Sequence, residues 1–361
     1  MMNKYEIVKE IGSGSYGKVY EVKSKLTGEI FALKRMRFIE QNRKDNSYLL
    51  NELKILSFNK SNYLLKAHDI FIDGLDICII TDIGKKGDLR KYIDRMRRRH
   101  TNIKESLIWN ILIQLCLGVN YLHSYNIIHR DLKTANIFIN SDESIMIGDF
   151  GVSKILKPNY DCANTQIGTP YYISPEIVKG KKYNKKIDVW SIGCILCEMM
   201  TRDYAFKSEN IHALNYKIIN GSYQLNNNHY SNDLVNLVKK MIEPDIQKRP
   251  DILDILTSDC ILEKIKNGCY EVDKLGDKKV NRNLNRYIIV PYKFAELYTV
   301  IRTINQCNNL NLSRSPPSCI SYLPPTKRYS YNPPIYSYRN RRYLPRNKAL
   351  PPININNSRL Y

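Results

Sequence analysis

Residues 5 to about 100 alternate short apolar runs with polar turns. Two of these runs, EIFALKRM and LDICIITDI, each follow a turn signal, Thr27-Gly28 and Asp73-Gly74. Their β-branched and apolar density predicts strands, and the segment as a whole a small sheet-rich lobe. From Ser106 to about Lys266 the apolar positions recur at helical spacing instead, in ESLIWNILIQLCLGVNYLH, KIDVWSIGCILCEMM and NDLVNLVKKMI. A larger helical lobe follows, so the chain reads as α+β. Past about residue 275 neither period persists. Residues 303–361 contain no Asp or Glu, nine Lys or Arg and four Pro-Pro pairs. That composition predicts an extended, polyproline-prone, disordered tail.

With 43% hydrophobic and 25% charged residues over 361 positions, the chain has enough apolar content for a large folded core. The net charge of +21 is unevenly placed: from Lys278 onward there are 15 basic residues and one acid, Glu296. An acidic protein, a cytoskeletal surface or nucleic acid is therefore a partner to expect of the tail rather than of the folded part. Arg95-Met96-Arg97-Arg98-Arg99-His100 is a second basic run, which would ordinarily be a solvated helix end. Nine scattered cysteines show no disulfide framework. The one C-x-x-C, Cys194 and Cys197, sits in an apolar helix and reads as core. The run Leu107 to Leu122 is broken by Asn110, Gln114 and Asn120, which makes it a core helix, and no transmembrane segment is expected. Charges near the N-terminus argue against a signal peptide, so the expected location is cytoplasmic or nuclear.

Gly12-Ser13-Gly14-Ser15-Tyr16-Gly17 matches a phosphate-binding G-x-G-x-x-G. In a dinucleotide-binding unit a helix follows the glycines, whereas here KVYEVKSKLTGEIFALK is strand-like and interrupted by a turn. The loop therefore reads as a flap between two strands, whose backbone amides can approach phosphate oxygens because no Cβ intervenes. Val19 follows it, placed to pack on a base.

Phe31-Ala32-Leu33-Lys34 then resembles the V-A-I-K strand of protein kinases. His129-Arg130-Asp131-Leu132-Lys133-Thr134-Ala135-Asn136 and Asp149-Phe150-Gly151 complete the resemblance in the expected order. What it implies is a two-lobed protein kinase fold over residues 5–267, with an N-lobe to about 84, a C-lobe from about 85 and a tail at 268–361. ATP and Mg²⁺ are the implied cofactors. Gly12, Gly14, Gly17, Val19 and Ala32 would enclose the nucleotide, Lys34 would hold its phosphates and Glu52 would orient Lys34. Thr81 would be the gatekeeper, Asp82 to Gly84 the hinge, and Asp88 the neighbour of the ribose. Asp131 would accept the proton of the substrate hydroxyl, Lys133 would neutralise the γ-phosphate, and Asn136 and Asp149 would bind the metal.

Lys133 in DLKTAN, and Thr169 in Gly168-Thr169-Pro170, resemble the serine/threonine class, with protein Ser/Thr as substrate. GTPYYISPEI and AFKSENIHALNYKIINGSY resemble the NIMA-related kinases, the NEK family, which implies cell-cycle or microtubule-linked signalling. In that family's pattern Thr165 would be the activating phosphosite, with Arg130 as its partner. Asp188 would brace the catalytic loop and Glu176 would pair with Arg249. Two departures stand out: Ala135 replaces the Glu of kinases that select basic residues, and the tail lacks heptads for a coiled coil. The rival reading is a catalytically idle kinase fold that binds acidic partners through its basic tail.

Overall fold

The computed structural model describes residues 4–14, 17–37, 49, 52–56, 59–155, 170–225 and 229–266. The strand-like runs form one antiparallel sheet in the order β1-β2-β3-β5-β4. Its strands are β1 (Tyr5–Gly14), β2 (Gly17–Ser24), β3 (Ile30–Arg37), β4 (Ala67–Asp73) and β5 (Asp76–Thr81). Gly14 faces Gly17 where β1 turns into β2. A Cβ on Gly17, whose φ is +139°, would lie 2.0 Å from the Arg35 carbonyl oxygen, so only glycine lets this turn lie against β3.

Register decides which side chains meet. β2 on β3 sets Val19 opposite Lys34, and β3 on β5 sets Ala32 opposite Thr81. Beneath Lys34 a helical segment, α1, includes residues 52–56 and presents Glu52, which is buried along with Leu53, Ile55 and Leu56.

The helical part begins with α2 (Leu89–Arg98), whose N-cap Asp88 accepts the Lys91 amide at 2.8 Å. α3 (Glu105–Ser124) and α5 (Lys186–Thr201) form the spine of the core, each buried along most of its length. Among the described residues α3 alone has the length and apolarity to cross a membrane, and 78% of that window is buried inside the protein. It is a core helix, as the interrupting Asn and Gln residues suggest: Gln114 accepts the Ile145 amide and donates to the Glu143 carbonyl. Cys194 and Cys197 are buried thiols of α5, Cys197 pushed up to about 12 by burial, a packing role rather than a reactive one.

Between α3 and α5 the chain makes β6 (Ile127–Ile128), a 3₁₀ turn (Thr134–Asn136), the hairpin β7 (Ile137–Ile139) and β8 (Ile145–Ile147), β9 (Lys154–Ile155), and the short α4 (Pro175–Val178). α4 is tied down by an ion pair: Arg249 donates to both oxygens of Glu176, at 2.7 and 3.0 Å, and to the carbonyls of Lys186 and Glu243. Both side chains are buried, and the guanidinium also faces the Trp190 ring at 5.0 Å. Thr165, Thr169 and the tail at 268–361 lie outside the described residues.

A buried pair this well satisfied strands a charge when one partner is lost. Glu176→Gln and Arg249→Met should each lower unfolding stability by about 3–5 kcal/mol. In urea titrations the double variant is expected to lose less than the sum of the two; strict additivity would show that the groups do not act as a pair.

Candidate active site

Lys34 and Glu52 meet where β3 crosses α1. Lys34 Nζ lies 2.7 and 2.8 Å from the two Glu52 oxygens and 3.4 Å from Asp149 Oδ1. Burial works against the Lys34 cation, but Glu52 and then Asp149 outweigh it and hold its pKa above the usual lysine value. Burial, with Asp149 adding to it, pushes Glu52 upward against the pull of Lys34. For Asp149 burial is again opposed, here by the Lys34 and Lys133 cations, and the net direction is downward, leaving an anionic carboxylate at neutral pH.

Asp131 is held from three sides. Lys133 Nζ is 2.7 Å from its Oδ2; the Asn136 side-chain amide donates to its carbonyl at 2.9 Å and to Oδ2 at 3.2 Å; its own N–H donates to His129 Nδ1 at 3.3 Å. His129 Nε2 is 3.2 Å from the Gly148 carbonyl. Burial pushes the His129 pKa below the usual imidazole value, so the ring is neutral. Accepting at Nδ1 and donating at Nε2, it links Asp131 to the residue before Asp149 without exchanging a proton itself. The ring also packs on Phe150, at 5.5 Å between centroids.

The catalytic-loop backbone hangs on Asp188 of α5. Its Oδ2 accepts from the His129 amide and lies 2.8 Å from His123 Nε2, and its Oδ1 accepts from the Arg130 amide at 3.0 Å. Arg130 and Asp149 take φ of +70° and +63°, strained for residues with a Cβ and maintained by these contacts. The Arg130 side chain is buried. It donates to the Val152 carbonyl at 2.6 Å and to the Tyr183 hydroxyl at 3.2 Å, and has no ion-pair partner among the described residues.

Thr81 is buried at the end of β5, with its hydroxyl donating to the Asp82 carbonyl. The Asp82 carboxylate is taken up by His68 at 2.6 Å and by the Lys66 amide, and the Asp82 N–H donates to the Lys66 carbonyl at 3.2 Å. Asp88 spends Oδ1 on its helix cap, and its Oδ2 faces Lys91 at 3.1 Å. Gly12, Gly14, Gly17, Val19, Ala32 and Lys34 share the three strands β1 to β3, while Gly84 begins the path to the C-lobe.

Sequence reasoning passed over Phe138. A Cβ on Gly84 would lie 2.9 Å from Phe138 Cβ, and one on Gly148 would lie 2.9 Å from Phe138 Cε2. The ring thus spans the distance from the hinge to the residue before Asp149, as a floor that needs glycine at both ends. An aromatic two places after Asn136 was the only signal. Tyr183 was also unforeseen, since nothing in its spacing joins it to Arg130.

The donor set suits a divalent cation. Asn136 commits its amide nitrogen to Asp131, so its oxygen is the available atom, and Asp149 supplies an anionic oxygen. Two hard oxygen donors, with the rest coming from phosphate and water, fit such an ion. Among the described residues no cluster of three His, Cys, Asp or Glu offers a self-sufficient metal site.

The protein kinase domain family matches residues 5–261. The probable serine/threonine-protein kinase nek3 of Dictyostelium discoideum is 40% identical over 259 residues, which cover 71% of this chain and 23% of that protein. Serine/threonine-protein kinase Nek1 of Mus musculus is 34% identical over 265 residues, 73% of this chain and 22% of that protein. The probable serine/threonine-protein kinase nek2 of Dictyostelium discoideum is 34% identical over 288 residues, 78% of this chain and 69% of that protein. The chain thus spans about a quarter of the length of the first two relatives.

Gly148→Ala drives a methyl group into Phe138. Overpacking of this kind costs about 1–3 kcal/mol, which should weaken binding of a non-hydrolysable ATP analogue about tenfold by calorimetry. Pairing it with Phe138→Leu is expected to recover most of the loss; no recovery would mean that the ring is not the obstacle.

Proposed function

Because the chain belongs to the protein kinase family and, within it, to the Nek serine/threonine-protein kinases, we propose that it transfers the γ-phosphate of ATP to serine or threonine of protein substrates. The observation that carries this reading is the paired geometry across the cleft. Lys34 reaches both Glu52 and Asp149, while Lys133 and Asn136 converge on Asp131. Phosphoryl transfer asks for positioned charge more than for covalent chemistry, and this arrangement supplies it.

In the proposed mechanism Lys34, oriented by Glu52, binds the α and β phosphates under the glycine flap, with Val19 and Ala32 against the base and the hinge backbone bonding its edge. Asp131 orients the acceptor hydroxyl and takes its proton, and Lys133 balances the negative charge of the transferring group. Asp149 and the Asn136 oxygen would hold the divalent cation, proposed to be Mg²⁺, which would supply screening of the phosphate charge. Gly148 N–H donates to the Asn136 carbonyl at 2.9 Å, tying the two metal-holding segments together.

Arg130 supports regulation by phosphorylation. A buried guanidinium with only neutral acceptors among the described residues gains from an added anion, and a phosphate on Thr165 is the one proposed, with Thr169 bonding the catalytic residues. Cell-cycle or microtubule-linked signalling in the cytoplasm or nucleus, with the basic tail as a targeting element, completes the proposal. The idle-scaffold reading has less behind it, because no catalytic residue type is missing.

Transfer of labelled phosphate to a generic Ser/Thr protein should persist on truncation near residue 275. It should fall at least about 10²-fold in Asp149→Ala, the scale for removing a charge-stabilising group. Folded full-length protein with no transfer, even after phosphorylation by an upstream kinase, would favour the scaffold. Thr165→Ala should lower kcat after preincubation with ATP and remove one phosphate from the intact mass; unchanged kcat would remove the switch.

A further inference from the structure

Helix α2 carries its cations on two sides with different fates. At about 100° per residue, Leu89, Ile93, Arg90 and Arg97 fall on one side, and Lys91, Arg95, Arg98 and the C-cap Arg99 on the other. On the inner side Leu89 and Ile93 are buried, and the arginines are neutralised. Arg90 pairs with Glu198 and Asp94, and Arg97 pairs with Asp94 and donates to the Arg202 carbonyl. On the outer side Lys91, Arg98 and Arg99 are exposed, and Arg95 lies over the Tyr92 ring at 5.4 Å. Exposed Lys104 adds a cation beyond the helix.

No carboxylate among the described residues forms an ion pair with Arg95, Arg98 or Arg99, and most of the acids around α2 are engaged elsewhere. Asp88 caps α2 and holds Lys91, Asp203 holds Lys207, and Glu105 accepts from Ser231 and Trp109. Glu143 acts on Tyr92 through space without pairing with Arg95. The helix C-terminus favours a cation or two in its last turn, but here three, Arg95, Arg98 and Arg99, stand without an ion-pair partner along about 6 Å of helix.

We propose that this outer face of α2 is a docking surface for an acidic segment of the protein substrate, separate from the residue that is phosphorylated. The proposal rests on the reading of the chain as an active protein kinase. Position favours a substrate over another partner: α2 starts at Asp88, which bridges to Phe138 on the cleft floor. A segment held on α2 is therefore tethered next to the transfer site. The one aromatic beside the free arginines, Tyr92, is partly buried and covered by Arg95, which leaves little for base stacking and argues against single-stranded nucleic acid. The last part of the chain's own tail is a poor occupant by charge, since residues 303–361 contain no Asp or Glu, while residues 268–302 hold only four acids, Glu271, Asp273, Asp277 and Glu296, among seven Lys or Arg. Exposed ion pairs of about 0.5 kcal/mol each contribute a factor of about two and weaken with salt, so the three free arginines together amount to about tenfold.

The test uses the full chain and its Arg95→Glu/Arg98→Glu/Arg99→Glu variant. The two peptides share one acceptor sequence and a Gly-Ser linker but end in a run of either glutamates or serines. The expected result is a KM about tenfold lower for the glutamate peptide with kcat unchanged. That advantage should vanish in the variant and in high salt, while the variant keeps its KM for ATP and for the serine peptide. Equal KM for the two peptides in the wild type, or an advantage that survives in the variant, overturns the proposal, the latter pointing to the tail. If neither peptide is phosphorylated, it is the kinase reading that fails. Fluorescence anisotropy of the glutamate peptide then decides docking separately: tighter binding by the wild type supports it and equal binding overturns it. A variant that loses a single-stranded oligonucleotide but keeps the glutamate peptide reassigns the face to nucleic acid.

Discussion

The buried carboxylate of Asp188 is the point on which the site is assembled. It is wholly enclosed, yet its pKa lies below the usual carboxylate value. Burial opposes its charge, and the hydrogen bonds from His123 and from the Arg130 amide outweigh that penalty. The amides of His129 and Arg130 are fixed to α5, and through them the loop carrying Asp131, Lys133 and Asn136 takes its position. Without that anchor, nothing compensates the left-handed backbone of Arg130. A rigid helix thereby sets the geometry of a loop, the usual route to a precise site on irregular backbone.

From this anchor a continuous set of contacts reaches the other lobe. Neutral His129 connects the Asp131 amide to the Gly148 carbonyl, Asp149 follows, and Lys34 reaches Asp149 while holding Glu52. Sheet, α1 and catalytic loop are thus coupled through groups that are buried or nearly so, where a lost partner costs most. Glu176 and Arg249 play the corresponding structural part below, fixing α4 against the helical core.

Much of this was legible in the chain. The change from strand-like to helical spacing foretold the two parts but not their boundary: the sheet ends at Thr81 and α2 already occupies Leu89–Arg98, inside the stretch to about residue 100 that read as strand-like. The glycine flap, Lys34, His129 to Asn136 and Asp149 to Gly151 foretold which residues would converge, because their types and order resemble the protein kinase pattern. The buried fate of Cys194, Cys197 and the Leu107 to Leu122 run also followed, because apolar density on every side of a helix leaves no face for solvent. Less legible were side chains whose work depends on a neighbour distant in sequence. Phe138 gives no sign of being a floor until Gly84 and Gly148 are brought to its two ends, and Tyr183 gives none until Arg130 lies against it. The basic run at Arg95 to His100 looked uniform, yet α2 divides it into an inner Arg97 that is neutralised and outer arginines that are not.

By itself, then, the sequence determined the order of the elements, the family and the chemical types at the site, because periodicity and motif spacing are local properties that survive in a string of letters. The tertiary structure alone decided partnership. Which carboxylate meets Lys34, which cation is left without an anion, and how a histidine stays neutral between two catalytic segments all depend on distance and burial. Those quantities arise only when residues far apart in the chain exclude water together.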